Sequence, residues 1–102
     1  MPQIHFIERL RNISRITGTQ DEYESGYWVV STSTAEKLKG GDIYLHEGQA
    51  EPSYFGGTIL GYRVQQGGEL DGRLIFHFKV TPAHRGIRAG REGWGNEKKI
   101  VW

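Results

Sequence analysis

Arg73-Leu74-Ile75-Phe76-His77-Phe78-Lys79-Val80 is the stretch whose reading decides the fold class. Leu74, Phe76, Phe78 and Val80 point one way and Ile75, His77 and Lys79 the other, the period-two pattern of a half-buried strand. Before it, Gln65 to Gly72 contains Gly67-Gly68 and Asp71-Gly72 and reads as a hairpin loop. Thr58-Ile59-Leu60-Gly61-Tyr62-Arg63-Val64 is the partner strand, with Leu60, Tyr62 and Val64 expected on one face. Tyr27-Trp28-Val29-Val30-Ser31 and Ile43-Tyr44-Leu45-His46 are two further strands, rich in aromatic and branched residues, and Lys99-Ile100-Val101-Trp102 closes the set.

Two helices are expected beside these strands. Ser31-Thr32-Ser33-Thr34 offers several N-caps to a short helix over Ala35–Lys39, and Gly40-Gly41-Asp42 stops it. Over residues 4–16, Phe6, Ile7, Leu10, Ile13 and Ile16 form one apolar stripe at helical spacing, which predicts an N-terminal helix of about three turns. Ile4 and Phe6 also alternate, as in a short strand. Thr17-Gly18 ends this segment, and Gln20 to Gly26 reads as an acidic connection.

The expected fold is therefore α+β: a small, mostly antiparallel β-barrel with an N-terminal helix and one short helix after the first barrel strand. Residues 1–102 are read as a single domain. It comprises a helix and acidic linker over 1–25, a barrel core over 26–81 and a basic glycine-rich tail over 82–102.

Composition narrows the function classes. The 102 residues include 15 glycines, 12 aromatics and no cysteine. That excludes a disulfide-stapled fold, a cysteine-based zinc finger and a cysteine nucleophile. No apolar run approaches the ~18 residues of a membrane-spanning helix. A cytoplasmic location without membrane association is the expectation. Formal charge is +1, but it is unevenly spread. Residues 1–81 carry eight Lys/Arg against ten Asp/Glu, whereas residues 82–102 carry five against two. Arg85, Arg88, Arg91, Lys98 and Lys99 thus form a modest basic patch with Trp94 and Trp102 set into it. Cations interleaved with aromatic rings suit nucleic acid, since phosphates attract cations and bases stack on rings.

Tyr27-Trp28-Val29-Val30-Ser31, followed by a short helix, resembles the opening of the PUA-like superfamily, which includes the EVE and ASCH domains. Leu38-Lys39-Gly40-Gly41-Asp42-Ile43-Tyr44-Leu45 is similar to their glycine–aspartate passage into a strand. Gly57-Thr58-Ile59-Leu60-Gly61-Tyr62-Arg63 looks like their return strand. The resemblance covers about residues 27–80. It implies a pseudo-barrel with a concave pocket that takes RNA or, in EVE-like members, a modified base in an aromatic cage. It also implies an alternative, since some ASCH-like proteins are nucleoside amidohydrolases.

The resulting expectation is a non-catalytic domain that binds nucleic acid or a modified nucleobase and needs no cofactor. Trp28 and Tyr54 or Phe55 would stack on the ligand, Ser31 and Ser33 would hydrogen-bond its edge, and Arg63 would line the pocket. Arg85, Arg88, Arg91, Trp94 and Lys98 would meet the nucleic-acid backbone. Each has a plainer role open to it: core packing for Trp28, helix capping for the serines, solvation for the arginines. The rival class is a small protein–protein interaction module, a defence- or phage-related adaptor anchored by Tyr54, Phe55, Trp94 and Trp102. Pairing of the closing strand across a homodimer is a further option. The amidohydrolase alternative would use Lys37 or Lys39 with Thr34 and a glutamate. His5, His46, His77 and His84 show no metal-ligand spacing, so no metal is expected. The glycine- and arginine-rich run His84–Glu97 lacks the Lys-Ser/Thr of a nucleotide-hydrolase loop.

Overall fold

The computed structural model describes residues 2–9, 12–95 and 97–102. Its seven strands are β1 (Gln3–Ile7), β2 (Ile13–Arg15), β3 (Glu22–Trp28), β4 (Asp42–His46), β5 (Ser53–Val64), β6 (Leu74–Val80) and β7 (Lys98–Val101). One α-helix, α1 (Thr32–Leu38), and a 3-10 turn at Pro82–His84 complete the elements among the described residues. The strands form one mixed sheet in the order β2-β3-β6-β5-β4-β1-β7.

The expected N-terminal helix is replaced by two strands. β1 pairs in parallel with β4, from Gln3↔Asp42 to Ile7↔His46, and antiparallel with β7. The alternation of Ile4 and Phe6 thus prevails over the helical stripe, because both side chains bury completely against the sheet's own core. Ile13 belongs to β2, Ile16 lies just beyond it, and Leu10 falls outside the described residues. The expected acidic connection is also a strand. β3 lies between β2 and β6, with Glu22↔Lys79 and Glu24↔His77 as opposed charge-compatible pairs. β3 ends at Trp28, so Val29 to Ser31 lead into α1 rather than extending the strand.

The short helix forms as expected. The Ser31 hydroxyl accepts from the Thr34 amide at 3.2 Å, Ala35 and Leu38 bury one step of three apart, and Gly40 leaves the helix at φ +81°.

Two bulges shape the sheet. In β5 the register shifts between Ile59↔Phe78 and Gly61↔His77, inserting Leu60 as an extra residue. Ile59, not Leu60, therefore shares the core side with Tyr62 and Val64, and Leu60 is 46% exposed. In β3 the shift falls between Ser25↔Phe76 and Trp28↔Leu74, so Gly26-Tyr27 occupies space opposite a single residue. Gly26 is required there: a Cβ on it would lie 2.8 Å from Cγ1 of Ile75.

The sheet is not a closed barrel, since β2 and β7 remain its two edges. It curls far enough for its ends to meet without pairing. The Phe6 ring of β1 stacks on Trp28 of β3 with centroids 3.9 Å apart, although β6, β5 and β4 lie between them in the sheet. Lys98 of β7 donates from Nζ to the Val29 carbonyl at 2.5 Å, across the same gap. The backbone ladder thus stops at a seam, and side chains bridge it.

Candidate functional site

The seam is where the surface is concave. One cavity of about 470 Å³ is lined by the β1 end (Ile7, Glu8, Arg9), by Tyr27 and Trp28, and by Arg73 and Glu97. A second, of about 580 Å³, shares Tyr27, Trp28, Arg73 and Glu97 and adds Val29 and Lys98. A shallow depression beyond Tyr27 reaches Asn12, Glu24 and Arg63, and another beyond Val29 reaches Ser31 and Asp71. Their shared linings make one groove along the seam, with Tyr27 common to three of the four.

Local structure explains each wall. Trp28 has one face on Phe6 and donates from Nε1 to Ser25 Oγ at 3.0 Å, which leaves it 7% exposed. It is chiefly a core residue that forms the groove floor. Tyr27, thrown outward by the bulge, is the ring left accessible. Glu8 continues the β1 alternation, its amide donating to the His46 carbonyl at 2.8 Å. Its side chain therefore extends the Phe6 face into the seam, where it is 3% exposed. Arg9 donates from Nε to the Glu47 carbonyl at 2.6 Å, and Glu97 holds the Ile7 amide through its own carbonyl.

The groove is electrically mixed. Arg9, Arg73 and Lys98 face Glu8 and Glu97, and Arg63 is held by Glu24 through two hydrogen bonds of 2.9 and 3.2 Å. That bidentate bond lowers the Glu24 pKa and raises that of Arg63. Such a surface suits hydrogen-bonded recognition of a small polar ring better than tracking of a polyanion.

Of the residues expected from the sequence, Trp28, Ser31, Arg63 and Lys98 lie along this groove. The others lie elsewhere. Ser33 sits in the α1 cap beside the Ser31 hydroxyl at 3.2 Å. Tyr54 spends its hydroxyl on the Glu8 carbonyl at 2.7 Å, and Phe55 packs edge-on against Tyr23 and Phe78. Arg85 lies over the Phe55 ring at 5.5 Å, and Arg88 donates to the Ala50 carbonyl at 2.7 Å. Arg88 and Arg91 line a separate depression of about 230 Å³ with Gln49 and Gly90. As for the amidohydrolase set, Lys39 pairs with Glu36 at 3.2 Å and Thr34 serves the cap, away from any groove lining.

Three of the four histidines, His5, His46 and His84, meet on the sheet face opposite Phe6, whereas His77 bonds to Glu22 at 2.7 Å. His5 is 1% exposed, and its Nδ1 lies 2.9 Å from His46 Nε2. His5 stacks on Tyr44 at 4.6 Å, Tyr44 on His84 at 4.9 Å, and Trp94 packs edge-on against both His5 and His46. His46 Nδ1 donates to the Glu51 carbonyl at 2.8 Å, because a carbonyl can only accept. Its Nε2 is then bare and accepts from His5 Nδ1–H. The remaining His5 Nε2 lies 3.2 Å from Gln3 Oε1, an acceptor facing an acceptor in this tautomer, so a half-turn of the Gln3 amide supplies the N–H that it needs. Burial, then the neighbouring His46 and Lys99, pushes the His5 pKa down to about 4, and burial lowers that of His46. At the column's far end, His84 Nε2 donates to Asp42 Oδ1 at 2.8 Å and Nδ1 contacts Thr81 Oγ1. Among the described residues no cluster suits a metal ion. The column is covered by the 84–95 segment and acts as a polar second core.

Sequence reasoning missed Tyr27, Arg73, Glu8 and Glu97 as groove residues. Only Gly26 before an aromatic pair hinted at a bulge there. Compared with family models, curated proteins and solved structures, the chain matches none.

Proposed function

We propose that this chain binds a nucleobase-like ligand, free or as an unpaired base of a nucleic acid, in the seam groove, without catalysing a reaction. The observation that carries the reading is the groove itself: two overlapping cavities walled by Tyr27 and Trp28 and ringed by Arg9, Arg73, Glu97 and Lys98. A ring of this size stacks on Tyr27 for roughly 1–3 kcal/mol. Polar side chains on both sides of the seam supply donors and acceptors for its edge. The resemblance of residues 27–80 to PUA-like domains favours the same ligand class, and an open, curled sheet is compatible with a pseudo-barrel of that kind.

Because carboxylates offset the groove cations, affinity for single strands should fall only gently with salt, with a log–log slope of about −1 to −2. The test is a titration of the whole chain with nucleosides and short single-stranded DNA and RNA at low and moderate salt. Carrying modified cytosine in one arm probes the EVE-like variant of the reading. Saturable binding that Arg73→Ala weakens supports the proposal, and no binding at low salt overturns it.

A further inference from the structure

We infer that Trp94 is a positioning residue of the seam groove: seated on the buried His5–His46 pair, it holds one groove wall in place, so that adding a proton to that pair releases the wall and lowers occupancy. This rests on the nucleobase-binding reading above and adds the regulation of that same site.

One short stretch of chain serves both faces of the sheet. Trp94 packs edge-on against His5 and His46, with ring centroids 6.3 and 5.8 Å away, and donates from Nε1 to the Gly90 carbonyl at 2.9 Å. Its near neighbours Gly95, Glu97 and Lys98 line the cavity of about 580 Å³. Gly95 and Lys98 exchange two backbone hydrogen bonds, of 2.8 and 3.0 Å, so this wall follows the residue that precedes it. A second anchor leads back to the same pair: the Glu97 carbonyl accepts from the Ile7 amide, two residues along β1 from His5. Lys99 ties down the 84–95 segment as well, since its Nζ donates to the Ala89 carbonyl and its stem lies against Gly93.

The seat beneath Trp94 is built for a neutral pair. His5 Nδ1 and His46 Nε2 are 2.9 Å apart, a gap that one N–H bridges. His46 Nδ1 already donates to the Glu51 carbonyl, so a proton added to His46 goes onto Nε2 and sets N–H against N–H. A proton added to His5 Nε2 instead puts a buried positive charge beside Lys99. The groups facing the pair are Gln3 on β1, Tyr44 on β4, Lys99 on β7 and the Glu51 carbonyl, while Asp42 is taken by His84. Among the described residues no carboxylate bonds to either ring. Either proton is therefore relieved when Trp94 lifts and water reaches the pair.

The experiment follows the ¹⁵N-labelled whole chain by nuclear magnetic resonance from pH 7.5 to 4.5, without ligand. The Trp94 indole N–H and the amides of Glu97 and Lys98 should shift with one midpoint, while the core amides of β6 hold their positions. In Trp94→Ala the histidine rings should still titrate, but Glu97 and Lys98 should no longer follow them. A short single strand of guanine and thymine, bases that do not titrate in this range, should bind about tenfold more weakly at pH 4.5, as when one molecule in ten keeps the wall in place. Trp94→Phe retains an edge-on ring and should keep the native affinity at pH 7.5. If Trp94→Ala does not fold, as judged by its thermal melt, the native titration and Trp94→Phe decide the matter. A silent Trp94, movement of Trp94 without Glu97 and Lys98, or loss of every amide together overturns the inference and leaves nucleobase binding standing. A strand that fails to bind at pH 7.5 overturns the nucleobase reading alone, because the ligand-free titration still decides the role of Trp94.

Discussion

Phe6 and Trp28 stack with ring centroids 3.9 Å apart and planes within 10° of parallel, although their strands are separated by three others in the sheet. That contact is what turns an open sheet into a nearly closed one. It fixes the width of the seam, and the groove exists because the two sides meet through side chains rather than through a backbone ladder.

Truncating Trp28 should therefore cost more than ordinary core truncation on a sheet face. Trp28→Ala removes the stack, the bond to Ser25 and the groove floor together, for an expected loss of about 3–5 kcal/mol. Trp28→Phe retains the stacking and should lose far less. Urea denaturation of both variants measures the difference, and equal losses would contradict the account.

Gly26→Ala should destabilise by roughly 1–3 kcal/mol through crowding of Ile75. Since the same bulge carries Tyr27, ligand affinity should fall as well. An alanine variant of unchanged melting temperature would show that the bulge tolerates a side chain there.

Acid should weaken the fold through His5. Its folded pKa, about 4, lies below the ordinary value of 6.5, so the unfolded chain binds the proton more readily. The stabilisation is complete above pH 6.5, declines as pH falls from there and is gone below about pH 4. The shift corresponds to roughly 3 kcal/mol. The groups facing His5 are Gln3 on its own strand, Tyr44 and His46 on β4, Lys99 on β7 and Trp94 in the covering segment. His46 shifts in the same direction and adds to the effect. Urea midpoints at pH 7.5 and 4.5 should differ by less in a His5→Phe variant than in the native chain.

Arg63→Ala should cost no more than about 1 kcal/mol, because its bond to Glu24 is largely exposed and screened by solvent. The loss should shrink further in high salt. A larger, salt-independent loss would place Arg63 in a structural role that its position does not suggest.

Much of the fold was legible in local patterns. The alternation of residues 74–80 is a strand, Ser31 caps α1, and Gly40 ends it. What local pattern could not carry was pairing between distant segments. Ile4 and Phe6 fit either a helix or a strand until β4 and β7 are placed on each side of them. Glu22 to Ser25 look like a solvated link until His77 and Arg63 stand opposite their carboxylates. The groove was half legible. Trp28 marks its floor, but Tyr27 faces it only because a bulge inserts one residue, and Glu8 reaches it only because β1 is a strand. The histidine column left no local signal, since His5, His46 and His84 are far apart in sequence.

The most direct test of the account is a nuclear magnetic resonance titration of the ¹⁵N-labelled chain with a short single strand of mixed base composition. Saturable shifts concentrated at Tyr27, Trp28, Arg73, Glu97 and Lys98, and at the Trp28 indole N–H in particular, are the predicted result. Shifts confined to Arg85, Arg88 and Arg91, or no shifts at all, would contradict it.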